Sequence, residues 1–185
     1  MNPVTTDRAA AVRHAVRRLV ADHGLHGASM AAVAKAAGVA TGTAYVHYAS
    51  KEELLIAAYV ELKADLGATA VVDLDAGAPP EARFRSIWSA VHAFLAEDPT
   101  RARFLVQVEA SPLARTAHER ALLEDDPLVA QVRTPDLAAR LRPLPLEVLW
   151  DLGLGPAVRL AATEQPLTAA QRAEVADACW QAVTT

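Results

Sequence analysis

The run Gly38-Val39-Ala40-Thr41-Gly42-Thr43-Ala44-Tyr45-Val46-His47-Tyr48-Ala49-Ser50-Lys51-Glu52-Glu53-Leu54 decides how the chain is organised. Gly38 and Val39 punctuate it as a turn, and no proline interrupts the residues that follow. A helix from about Thr41 to Tyr48 is therefore expected. Ser50 opens the next helix, with Glu53 three residues on as in a capping box. At 100° per residue Ala44 and Tyr48 share one narrow face of the Thr41–Tyr48 helix. Gly42, Thr43, Val46 and His47 take the opposite arc, with Thr41 and Tyr45 at its flank. Such a helix buries an edge and leaves a broad surface open.

Upstream, Ser29 caps a short helix through Ala37, whose inward residues are Met30, Val33, Ala34 and Ala37. Ala34, Ala37 and Gly38 are small enough for two helices to cross tightly at the turn. A first helix from about Thr6 to His23, with Val12, Val16, Leu19 and Val20 at helical spacing, braces the pair, and Gly24 ends it as a C-cap. Helix, tight turn and helix on a bracing helix is the layout of a helix-turn-helix, which offers its second helix to the major groove of DNA. The open arc suits that use. Thr43, Tyr45 and His47 can donate hydrogen bonds to phosphate oxygens, and Lys51 adds a charge at the same edge. Gly42 lets the helix start, with its free amides and positive dipole, come close to the backbone.

Charge is distributed accordingly. The 185 residues carry a net charge of −4, but residues 1–51 sum to +4 and residues 52–185 to −8. A basic head on an acidic body fits a protein that meets phosphates with one end only. Hydrophobic residues make up 52% and aromatics 5%, and alanine and leucine dominate, so helix is the default. Cys179 is the single cysteine, which excludes an intramolecular disulfide and a cysteine metal cluster. His23 and His26 bracket a turn without a third ligand, so no metal and no cofactor are expected. The start of the chain has no apolar signal core and no segment is apolar enough to span a membrane, which leads to the expectation of a soluble, cytoplasmic protein.

Beyond Ser50 the sequence continues in helical periods. The fourth helix carries Leu54, Leu55, Ala58, Tyr59, Leu62 and Leu66 and fades near residues 73–75. A fifth, about Glu81 to Glu97, is followed by a sixth from Thr100 to Ala110. Pro112, Pro127 and Pro135 leave one or two interrupted helices across 111–142, with Glu124-Asp125-Asp126 before Pro127 marking a helix start. An eighth helix from about Pro145 to Thr163 should kink at Gly155-Pro156. A ninth from Thr168 puts Val175, Ala176, Cys179, Trp180 and Val183 on one stripe. The expectation is an all-α chain of about nine helices in two units, residues 1–52 and 53–185.

The run from Gly38 to Leu54 resembles the TetR/AcrR signature, and the likeness extends upstream through Val33-Ala34 and Ser29-Met30 to the Gly27 turn. The resemblance implies a three-helix DNA-binding domain followed by a helical bundle for ligand binding and dimerisation. It implies phosphate contacts for Thr43, Tyr45, His47 and Lys51, and approach to bases by Thr41, Gly42 and Val46. Two positions depart from the pattern. Ala44 stands where leucine or isoleucine is usual, and Ala31 where some members carry a polar base-reading residue. The segment from Leu152-Gly153-Leu154-Gly155-Pro156-Ala157 through Pro166-Leu167-Thr168 and Trp180 is similar, more weakly, to the family's dimerisation region. That implies a homodimer through the last two helices, meeting a palindromic operator in double-stranded DNA.

The family's bundle also encloses an effector pocket. Trp88 and His92, one turn apart, with Phe104 and Val108 on the next helix, are the expected lining for a small apolar or aromatic effector, with Trp88 as plain core the alternative. Two other readings stay open: a TetR-like sensor or partner-binding module without operator binding, and a small helical enzyme. The enzyme reading finds no glycine-rich phosphate loop, nucleophile elbow or His-Glu-x-x-His pair in the sequence.

Overall fold

The computed structural model describes the backbone of residues 3–123 and 126–185, and the side chains of residues 8–122 and 126–185. Among them it has twelve helices and no strand beyond an isolated bridge between Leu141 and Thr184. Glu124 and Asp125 lie outside the described residues. The first three helices are α1 (Pro3–Gly27), α2 (Met30–Ala36) and α3 (Thr41–His47), and α4 (Lys51–Val71) follows. α1 is bent at Gly24, whose φ of 70° and ψ of 174° leave the helical region. One further turn then runs to Gly27, so Gly24 marks a kink where the sequence suggested an end.

The turn between α2 and α3 is closed by its own backbone. Val39 N–H donates to the Ala34 carbonyl at 3.0 Å and Gly38 N–H to the Lys35 carbonyl at 3.2 Å. This paired arrangement needs a left-handed residue between them, and Gly38 supplies it at φ 68°. Ser29 caps α2 by accepting from Ala32 N–H at 3.2 Å. Ser50 accepts from Glu53 N–H at 3.1 Å, but the Glu53 carboxylate reaches past Ser50 to Ala49 N–H at 2.7 Å. The capping box expected there is half made, and the second donor satisfied is one residue earlier.

The body comprises α5 (Pro80–Glu97), α6 (Pro99–Glu109), α7 (Ala114–Leu123), α8 (Pro127–Val132), α9 (Pro135–Ala138), α10 (Leu146–Gly153), α11 (Gly155–Ala162) and α12 (Ala169–Val183). Twelve helices replace the expected nine for a physical reason. Pro127 and Pro135 each open a new helix rather than interrupt one, because a proline in the first turn forgoes only an N–H that has no helical partner. Pro156 does the same for α11, so the expected kinked eighth helix is two helices joined at Leu154.

α4 is the centre of the molecule. It packs on α1 at one end and on α5, α6, α7 and α8 along its length. Its buried residues run from Leu54 to Ala70, including Leu54, Tyr59, Leu62 and Leu66 with almost no exposed surface. Burying each such side chain is worth roughly 1.5–3 kcal/mol, so α4 is fixed by packing along most of its length. The same core takes in Val12, Val16 and Val20 of α1, Val33 and Ala34 of α2, and Ala44 of α3. α1 also packs on α6, so head and body share one core. No helix among the described residues is long and apolar enough to cross a membrane.

Candidate nucleic-acid interface and ligand cavity

α3 is buried along one edge only. Ala44 has no exposed surface and Tyr48 has 6%, whereas Val46 is 81% and Tyr45 52% exposed. Thr41 and Gly42 are exposed, and Thr43 and His47 half-buried, so the arc assigned to DNA in the sequence forms one open surface. Alanine at position 44 fits flush against the core. Ala31 is exposed on the neighbouring helix and offers no polar group. A side chain at Gly42 would meet no atom within 4 Å, so nothing inside the chain requires glycine there. A helical glycine costs about 1 kcal/mol relative to alanine.

Tyr48 is held by more than packing. The Arg13 guanidinium donates to Tyr48 Oη at 2.6 Å and, through its other terminal nitrogen, to Glu61 Oε1 at 2.6 Å. Arg17 reaches the second Glu61 oxygen at 3.3 Å, and Tyr48 O–H donates to the Ala9 carbonyl at 3.3 Å. The Glu61 hydrogen bond holds Arg13 above its ordinary pKa, and burial pushes the Tyr48 phenol up. One carboxylate on α4 thus clasps α1 and, through Arg13, the end of α3. Residues 1–51 hold six lysines and arginines, and two of them spend their charge on Glu61, so the head is less positive toward a partner than composition suggests.

Lys51 also does internal work. It is half-buried at the start of α4, and its ammonium donates to the Leu25 carbonyl just past the kink in α1. That bond anchors the α1 turn beside α4 and leaves two of the three ammonium donors for another partner.

A second feature lies in the body. A cavity of about 130 Å³ opens between α4, α5, α7, α8 and α10. Phe84, Ile87, Leu128, Leu149, Trp150 and Val183 are among the residues that line it. Close approaches frame it. A Cβ on Gly67 would come within 2.9 Å of Asp126 Oδ1, and one on Gly153 within 3.4 Å of Val183. Lys63 lines this cavity at 7% exposure, its ammonium 2.9 Å from the centre of the Trp150 ring. Burial pulls its pKa down to about 8 against the pull of Glu109 and Asp126.

The residues expected to line a pocket sit elsewhere. Trp88, Phe104 and Val108 have no exposed surface and fill the core, and none of them borders the cavity. His92 is half-buried and stacks flat on Trp88, ring centres 5.7 Å apart, and burial lowers its pKa. Bulky side chains at those positions close the space rather than open it. Sequence reasoning passed over Lys63, although a lysine spaced four residues from both Tyr59 and Gly67 sits on the helix's apolar arc. Cys179 is buried, and burial pushes its thiol up. Among the described residues no group of three His, Cys, Asp or Glu side chains is placed to hold a metal.

Comparison with known proteins joins both ends of the chain to one family. The family described as bacterial regulatory proteins, tetR family, matches residues 12–58, and the family described as Tetracyclin repressor-like, C-terminal domain, matches residues 79–184. An HTH-type transcriptional regulator of Haemophilus influenzae is 36% identical over 112 residues, a stretch that spans 60% of this chain and 60% of that relative. The crystal structure of a TetR-family transcriptional regulator from Haemophilus influenzae Rd is 28% identical, covers 100% of both chains and superposes with a TM-score of 0.80. A TetR-family regulator from Marinobacter aquaeolei VT8, 23% identical, covers 100% of this chain and 99% of its own and shares the fold with a TM-score of 0.81. The chain belongs to the TetR family of bacterial regulatory proteins.

Proposed function

We propose that the protein is a ligand-responsive transcriptional repressor, without enzymatic activity, that binds a palindromic operator as a homodimer and releases it when a small effector occupies the body. The observation that carries this reading is the open arc of α3, where Tyr45 and Val46 are the exposed large apolar side chains among the described residues of the head. An exposed valine suits contact with a thymine methyl, and Thr43, Tyr45 and His47 suit phosphates. Residues 1–52 act as the reading head and residues 53–185 as the body, with α4 running through the division.

Dimerisation would use the last helices. Val148 and Leu152 stand exposed one turn apart on α10, and the small residues Ala170, Ala173 and Ala178 are exposed on α12. A two-fold axis there would present two copies of α3 to grooves about 34 Å apart or a longer whole-turn spacing. The effector site in this reading is the apolar cavity beside α4, and the protein works in the cytoplasm.

Selection of bound sites from a random double-stranded DNA library tests this. Enrichment of inverted repeats with half-sites about 10 bp apart or more supports the dimeric repressor. Enrichment of unpaired half-sites, or none, contradicts it.

A further inference from the structure

The cavity beside α4 has walls that are almost wholly apolar and one cation set into them. Lys63 is more than nine-tenths buried. Among the described residues no carboxylate oxygen lies within 4.0 Å of its ammonium, and its near neighbour is the face of Trp150. The acids near it have other partners. Glu109 on α6 accepts from Tyr59 O–H at 3.2 Å and lies 3.8 Å from His118 of α7, which also lines the cavity. Asp126 lines the cavity too, where it accepts from Leu128 N–H at 2.8 Å and caps α8. Glu147 of α10 borders the cavity but is exposed.

A lone ammonium in an apolar wall loses its hydration, and an aromatic face replaces only part of it. An apolar side chain of the same length would fill the position at lower cost. The cation therefore has its use when the cavity is occupied. A neutral apolar ligand would strip the remaining water from Lys63, and a cationic one would be repelled. An anion replaces what burial removed.

We infer that the cavity binds an apolar molecule bearing a single negatively charged group, with Lys63 as the counter-ion and Phe84, Ile87, Leu128 and Leu149 around the apolar part. The inference rests on this cavity being the effector site. The acid end sits at α4, and the hydrophobic end lies toward α5, α8 and α10.

Matched pairs of probes separate charge from shape. Decanoate is compared with 1-decanol, and 4-phenylbutyrate with 4-phenylbutanol, on the full chain at neutral pH by calorimetry and tryptophan fluorescence. The acids should bind at least about tenfold more tightly than the alcohols. Lys63→Met should abolish that preference while changing alcohol affinity by less than about threefold, and Lys63→Arg should keep part of it. Thermal melts of both variants verify folding. Equal binding of acids and alcohols, or an undiminished acid preference in Lys63→Met, overturns the assignment and leaves the cavity as an effector site for neutral ligands. If neither acids nor alcohols bind, the assignment and the effector-site reading fall together.

Discussion

Glu61 and Lys63 stand two residues apart on α4 and serve opposite sides of it: Glu61 holds Arg13 and Arg17 of α1, while Lys63 borders the cavity in the body. At 100° per residue they are about 200° apart, so one rigid helix carries both. A shift of α4 that brings Lys63 to a ligand must also move the carboxylate that clasps the head. In the proposed repressor this is the route from effector to operator, and a differential of 1–3 kcal/mol between the two states would suffice.

Glu61→Gln keeps the size of the clasp and removes its charge. Because Arg13 and Arg17 are only 21% and 16% exposed, their loss of partner should lower stability by about 1–2 kcal/mol, read as a drop in melting temperature. The variant should also respond less to effector in operator binding. An unchanged melt together with an unchanged effector response would remove Glu61 from the route.

Lys63 predicts a pH-dependent stability. The unfolded chain holds the Lys63 proton up to the ordinary 10.5, whereas the folded protein holds it to about 8. Between those values the unfolded state binds more protons, so the destabilising contribution is complete below about 8 and fades as pH rises toward 10.5. Lys63→Met should melt above the parent at neutral pH, by up to roughly 3 kcal/mol less any lost attraction to Trp150. The gap should narrow at about pH 10. Melts of both proteins at the two pH values check this, and a gap that does not change with pH contradicts it.

Gly42→Ala separates stability from recognition. The added methyl meets no atom of the chain, so the head should gain about 0.5–1 kcal/mol. Operator affinity should fall, because the methyl projects from the exposed start of α3. Greater stability with undiminished affinity would place DNA elsewhere.

Lys51→Ala should have two effects. Losing the bond to the Leu25 carbonyl should loosen the α1 turn and cost about 1 kcal/mol of stability. Loss of the charge should weaken binding evenly across operator sequences and reduce the salt slope by about 1. A change in sequence preference at constant slope would deny Lys51 a phosphate.

The head was legible because its signals are local. Gly38 at a left-handed turn, Ser29 and Ser50 as caps, and the Ala44–Tyr48 edge each act within a few residues, and each appears where the pattern implied. What distance in sequence hides is pairing. Glu61 lies 48 residues from Arg13, and Lys51 26 residues from Leu25, so neither contact leaves a periodic trace. The cavity leaves no local trace either. Trp88 and Phe104 fill the core, while the cavity is lined by side chains spread from position 63 to position 183, a consequence of three-dimensional fit. Lys63 on the apolar arc of α4 was the one sequence signal that pointed to it.

In the proposed repressor the exposed arc of α3, doubled by two-fold pairing, binds DNA through phosphates and base edges together. The most direct test measures affinity for a selected operator against salt concentration, with Val46→Ala beside the parent. A steep linear fall of log affinity with log salt is expected in both proteins, with Val46→Ala weaker by about 1–3 kcal/mol at thymine-containing positions only. Binding that ignores salt, or a Val46→Ala profile identical to the parent on every sequence, would contradict it.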